Sequence, residues 1–159
     1  MATRRFMRAV LGLVLGAVIG IGALPSGAGP AAAQPTSETT TLHIRNQYLH
    51  PIYVVIAYPD PAECTGTNWM VRGWYYIKAG EQAQVLQTTG DEAAYFAHAP
   101  MDGTTWDGTA ITVYVPTGNA FGSCQNYLQQ DRSDTRYIGL REVQFNTGGD
   151  QYIDVTPSL

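Results

Sequence analysis

Positive charge is scarce in this chain, and much of what there is sits at one end. Three of the nine Lys and Arg residues fall within the first eight positions, and none of the thirteen Asp and Glu lies in the first 33. Residues 34–159 therefore hold six positive groups against thirteen negative ones, net −7. A surface of that sign repels phosphate backbones, so nucleic acid is not expected as a partner. The usual catalytic signatures are missing as well. There is no G-x-S-x-G, no P-loop and no Gly-rich dinucleotide fingerprint, and the glycines fall instead where strands turn. His43, His50 and His98 show neither H-x-H nor H-x-x-x-H spacing, so no cofactor or metal is expected from them. Cysteine is nearly absent, with Cys64 and Cys124 the only two. In an oxidising compartment an even pair reads as a bridge, and closing a loop of about 60 residues adds roughly 4 kcal/mol in the chain-entropy model.

What the N-terminus does contain is an ordered series. Arg4, Arg5 and Arg8 precede Ala9–Leu24, a run without a charged or polar side chain, and small residues then lead to Ala33. Basic, apolar and small segments in that order describe a secretory signal peptide over residues 1–33 with cleavage after Ala33. The pattern suits both the general secretory and the twin-arginine routes. At about 16 residues and broken by four glycines, the apolar run is short for a membrane span, so membrane contact is expected only if the segment stays uncleaved. Residues 34–40 read as a disordered leader, and 41–159 as a single domain large enough for one core.

Within that domain no helix of ordinary length is signalled. Leu42 and Ile44 alternate with His43 and Arg45, the period of a half-buried strand. Ile52–Tyr58 is a nearly unbroken β-branched and aromatic run, the composition of a central strand covered on both faces. Further strand-like stretches follow at roughly ten-residue spacing, and Cys124–Gln130 is the one short stretch with helical character. The Gly-rich Asn146–Asp150 reads as a hairpin turn between two closing strands. The expected fold is an all-β antiparallel β-sandwich of about eight strands with at most one short helix.

The densest segment is Asn68–Gly80, which carries Trp69, Trp74, Tyr75 and Tyr76. Large rings give the biggest burial contribution open to a small domain, and they also bind flat apolar faces at little entropic cost. Trp69, Trp74, Tyr75, Tyr95 and Trp106 are accordingly the candidate ligand-binding residues, with core packing as the alternative for each. The partner would be a cell-envelope glycan or protein. The competing enzymatic reading is a carboxylate-dependent hydrolase acting on an extracellular substrate, with Asp102 and Asp107 in the Gly-rich loop around Trp106 as its acid–base pair.

The order Asn46, Ile52–Tyr58, Trp69, Gly73-Trp74-Tyr75, Gly80, Tyr95-x-Ala97, Trp106-x-Gly108, Phe121-x-x-Cys124 and Phe145 resembles the bacterial family called domain of unknown function 1036. The likeness runs over residues 41–155. It implies a small exported or envelope-associated β domain with no reaction or agreed ligand attached. Relatives often carry cysteines where this chain has Arg45 and Gln82, so a Cys64–Cys124 bridge would be its own arrangement.

Overall fold

The computed structural model describes residues 38–66 and 69–157, so the expected signal peptide and most of the leader lie outside the described residues. Ten strands and one 3-10 turn make up the fold: β1 Thr40–Asn46, β2 Ile52–Pro59, β3 Trp69–Ile77, β4 Gln82–Thr88, β5 Glu92–His98, β6 Thr105–Trp106, β7 Ile111–Pro116, β8 Phe121–Cys124, the turn Gln125–Leu128, β9 Thr135–Gln144 and β10 Gly149–Val155. They form two sheets, a three-stranded one in the order β10-β1-β4 and a seven-stranded one in the order β7-β9-β5-β2-β3-β8, with β6 added beside β5. The all-β sandwich expected from the sequence is thus present, with β6 and β8 as additional short strands. The stretch expected to have helical character shrinks to the 3-10 turn.

Two cores follow from strand alternation. Leu42 and Ile44 of β1, Ile153 and Val155 of β10 and Leu86 of β4 meet Ile52, Val54, Ile56, Tyr95 and Ala97 of the larger sheet. The other face of that sheet is covered by its own curl: Val55, Ala57, Val71, Ala94 and Phe96 pack against Val113, Val115, Ile138 and Leu140 and the turn residue Leu128. Strand β2 lies between the two cores, and its five consecutive residues Val54–Tyr58 are all buried. That double cover is what its unbroken apolar run required.

Two local expectations are corrected. Asn146–Asp150 does not close a hairpin: β10 leaves β9 and runs parallel to β1, from Thr40 opposite Gly149 to Asn46 opposite Val155. Gly148 and Gly149 both hold positive φ in this crossing, and the Gly148 amide donates to Thr40 Oγ1 at 2.7 Å. The apolar residues of β10 satisfy themselves against the first core, a choice no local turn signal encodes. The sandwich is therefore antiparallel except for this pair. Among the described residues β1 starts at Thr40, which is fully buried and lies inside the span expected to be leader.

Cys64 and Cys124 are bridged, with Cα atoms 5.4 Å apart. The bond fastens the loop after β2 to the end of β8, an edge strand that pairs only with β3. A buried side chain organises the opposite end. Asn46 Nδ2 donates to the His50 and Ile77 carbonyls at 2.9 and 3.0 Å, and Asn46 Oδ1 accepts from the Tyr48 amide at 2.9 Å. The β1–β2 turn is thereby held against the end of β3. A fully satisfied buried amide of this kind specifies one loop arrangement.

Candidate functional site

At the end of the larger sheet fixed by Asn46, the face that carries the second core runs out into a row of rings. Tyr53 of β2 lies directly opposite Tyr76 of β3 on one side and His98 of β5 on the other. Their rings follow the ladder, with centroids 5.2 Å apart for Tyr53 and Tyr76 and 5.7 Å for the stacked Tyr53 and His98. The β2–β3 register shifts between Val54 and Val55, leaving Trp74 as an extra residue on β3. A bulge re-aims the side chain it carries. Here it brings the Trp74 indole edge-on to His98 at 5.5 Å and lets its Nε1–H donate to the Pro116 carbonyl at 2.7 Å. Gly73 makes room for this, because a Cβ there would lie 2.8 Å from Val55 Cγ2.

Arg136 completes the group from β9. Beyond Tyr95, β5 no longer pairs with β9 and takes β6 as its neighbour, so the sheet opens at this end. The Arg136 side chain spans the opening, its guanidinium carbon 4.9 Å from the Trp74 ring centre and 5.0 Å from that of Phe96. Nη1 stands 3.5 Å from His98 Nε2. Tyr53, Trp74, His98, Pro100, Thr117 and Gly118 line a cavity of about 270 Å³. That volume is near the lower end for small-ligand sites, room for one ring-sized group. Thr117 is itself tied down, its amide donating to the Asp134 carbonyl at 2.9 Å.

Burial, and then the neighbouring Arg136 charge, push the His98 pKa down from 6.5 to about 4. Burial likewise lowers that of Arg136. His98 is therefore neutral at pH 7, with Arg136 the only charged group among the side chains that pack on it, the others being Tyr53, Trp74 and Phe96. An unfolded chain takes up this proton near pH 6.5, whereas the folded one resists until about pH 4. The stability associated with neutral His98 is thus complete above pH 6.5 and is lost as pH falls toward 4. After allowance for solvent screening of a partly exposed ring the loss is about 1 to 2 kcal/mol. Unfolding free energies from urea titrations at pH 7 and pH 4 are expected to differ less in His98→Phe than in the parent by that amount. An equal acid loss in both proteins contradicts the assignment.

No family model, curated protein or solved structure matches this chain. The site therefore stands on its own geometry.

Of the five rings singled out in the sequence, only Trp74 belongs to this group. Trp69 is partly buried against the second core, and Tyr75 is partly buried against the first. Tyr75 also lines a shallow groove with Tyr58 and Arg72, where burial raises both phenol pKa values. Tyr95 and Trp106 are core residues, each 4% exposed, which is the core-packing alternative given for each ring. Strand alternation decides the matter for Tyr95: it points between the sheets, while its neighbours Phe96 and His98 reach the second core and its mouth. Trp106 follows from its polar atom, since its Nε1–H donates to the Thr156 carbonyl at 2.7 Å and closes the first core.

Asp102 and Asp107 have different surroundings. Asp102 accepts from the Tyr48 hydroxyl and the Thr104 amide and lies 3.7 Å from His50 Nε2. The Tyr48 hydrogen bond, followed by that of Thr104, holds its pKa below the usual carboxylate value. Asp107 instead lines a separate cleft with Thr109, Arg136 and Tyr137, a cleft that does not include Asp102.

Tyr76 was within the ring-rich stretch expected to offer a binding face, whereas His98, Arg136 and Tyr53 were not among the expected site residues. Their sequence separations hide the cluster, and it forms only once β2 is known to lie between β3 and β5.

Proposed function

We propose that this protein is an exported, non-enzymatic binding module, and that its ligand is a cell-envelope glycan seated on the ring-lined mouth of the larger sheet. The observation that carries this reading is the cross-strand row Tyr76, Tyr53 and His98, which continues into Trp74 at the wall of the cavity. Tyr76 keeps about half of its surface exposed although it lies in an otherwise well-packed strand. Flat rings at a sheet end cover the apolar face of a sugar ring while its hydroxyls stay in water. The main-chain groups beneath are already taken up in the ladders, which favours a ligand that is bound by side chains over a peptide that adds a strand.

Export is supported by the basic, apolar and small N-terminal series and by the Cys64–Cys124 bond, which suits an oxidising compartment. The ordered residues from Asn46 to Phe145 support placement beside the domain of unknown function 1036 proteins, whose members look like small envelope-associated β domains.

Titration with soluble cell-envelope oligosaccharides, followed by calorimetry, tests the reading. Tyr53→Ala and Trp74→Ala are each expected to weaken binding about five- to tenfold, the loss of one stacked ring. Trp69→Phe, at the opposite end of β3 from Trp74 and outside the cavity lining, serves as a control and leaves affinity unchanged. Equal affinity in all three variants places the ligand elsewhere.

A further inference from the structure

The strands β10, β4, β7 and β8 end the two sheets, and three of them are protected. β10 carries Asp150 and Asp154, β7 stops at Pro116, and β8 is only four residues long. Charge, proline and shortness are the usual means of keeping another chain from adding to an open strand. β4, Gln82–Thr88, has none of them. Among the described residues it pairs with β1 alone, so its other main-chain edge has no ladder partner. Its one irregularity is a bulge at Val85, between Gln84 opposite His43 and Leu86 opposite Leu42.

That edge borders a groove of about 420 Å³ whose other wall is Tyr58 of β2 with Arg72 and Tyr75 of β3. From β4 the groove takes Gln84, Val85, Leu86 and Gln87 in succession. Successive side chains of a strand leave opposite faces, so a groove that touches all of them runs along the strand's edge. The facing wall is built of donors. Tyr58 is 6% exposed, yet among the described residues neither its hydroxyl nor that of the partly buried Tyr75 has a hydrogen-bond partner, in contrast to the Tyr48 hydroxyl. The Arg72 guanidinium carbon stands 5.7 Å from the Tyr58 ring centre. Burial raises both phenol pKa values and the Arg72 charge opposes the rise in each, so the cation lies near both hydroxyls. Asp60 and Glu63 act on Tyr58 from outside the groove, but among the described residues no carboxylate lines it or pairs with Arg72. A buried hydroxyl without an acceptor is unfavourable, and a ligand that brings one relieves it.

We propose that this groove is a docking site for an extended, acidic segment of a partner protein, which adds as a strand beside β4 and sets an Asp or Glu carboxylate against Arg72, Tyr58 and Tyr75. The site is separate from the ring-lined mouth and does not depend on the glycan reading. Free main-chain groups on one wall give such a segment its hydrogen bonds, and the donors on the other select its side chain. A guanidinium fork with two phenol hydroxyls beside it suits one carboxylate. A saccharide would leave the strand edge unpaired, and a neutral peptide would leave the cation unmatched. The net −7 charge of residues 34–159 opposes attraction at long range, so the association is of moderate affinity.

The probes are the capped pentapeptides Thr-Val-Glu-Val-Thr and Thr-Val-Gln-Val-Thr, with two versions of the first N-methylated on one or the other set of alternate amides. Calorimetry and amide and indole NMR shifts are read on the parent protein, Arg72→Gln and Tyr58→Phe. The Glu peptide is expected to bind about tenfold tighter than the Gln peptide. It shifts the amides of Gln84–Gln87 and leaves the Trp74 indole signal in place. In Arg72→Gln the ratio falls to about one. Tyr58→Phe weakens the Glu peptide about threefold and keeps at least the parental stability, since its hydroxyl gives up no protein partner in the free state. One N-methylated version loses binding and the other keeps it, which reads strand addition on the parent without any variant having to fold. Equal binding of the Glu and Gln peptides, shifts at the Trp74 indole in place of β4, full binding by both N-methylated versions, or no binding by any peptide overturns the proposal. Tighter binding of a glucuronate trimer with the same β4 shifts also overturns it, in favour of an acidic saccharide.

Discussion

Replacing Cys64 and Cys124 together by serine is expected to lower stability by about 4 kcal/mol. The bond spans 60 residues, and a loop of that size carries a large closure entropy in the unfolded chain. For a domain whose whole stability is of order 5 to 15 kcal/mol this is a large fraction. The structural reason for the size of the effect lies in what is joined. β8 is four residues long, sits at the edge of the larger sheet and, among the described residues, pairs only with β3, while Cys64 lies in the loop after β2. Without the bond both regain their freedom at the same time. Urea unfolding of the serine pair against the parent measures the loss directly, and unfolding of the parent in the presence of a reductant should reproduce it. A difference below about 1 kcal/mol would mean that local packing already holds β8 in place.

Gly139→Ala is expected to cost about 3 kcal/mol or more, and to lower the melting temperature by about 10 °C or more. Gly139 lies in β9 where the β6–β7 connection crosses it, and Gly108 donates its amide to the Gly139 carbonyl at 3.2 Å. A Cβ on Gly139 would fall inside the contact distance of the Gly108 carbonyl oxygen. The reverse approach is as tight, since a Cβ on Gly108 would lie 2.6 Å from the Arg141 Cα. Both obstacles are main chain, so no rotamer change relieves them and one strand must move. The damage should be shared with the mouth, because Arg136 stands three residues from Gly139 on the same strand. Near-UV circular dichroism during thermal unfolding follows both the strand and the Trp74 environment. Gly118→Ala is the control: a Cβ there meets nothing within 4 Å, and its melting temperature should match the parent. If Gly139→Ala also matches the parent, the crossing is looser than its geometry requires.

Much of the fold was legible because its strongest signals are local. The run Ile52–Tyr58 needs cover on both faces, and it has it. The alternation of Leu42 and Ile44 with His43 and Arg45 puts the first pair in the core, and both are fully or almost fully buried. Partner choice was less legible, since it is settled at a distance. The Asn146–Asp150 turn residues are as suitable for a crossing as for a hairpin, and only the first core decides that β10 belongs beside β1.

The site was harder to read for the same reason. Tyr95 and Trp106 look like His98's equals in a list of rings. Whether a ring faces a core or a mouth depends on alternation counted from a known register, and the bulge at Trp74 interrupts that count on β3. Arg136 gave no local signal at all. Its ring and histidine neighbours come from β3 and β5 and reach it only through the fold.

The pairing of β1 with β10 also bears on how the chain comes to be folded. Arg45 and Asp154, joined across that pair, are 109 positions apart, and β1 is the middle strand of its sheet. The first strand must therefore keep one edge open until residues 149–155 have been delivered to it. A protein so built completes its smaller sheet late and slowly, because the contact that closes it is among the most distant in the domain.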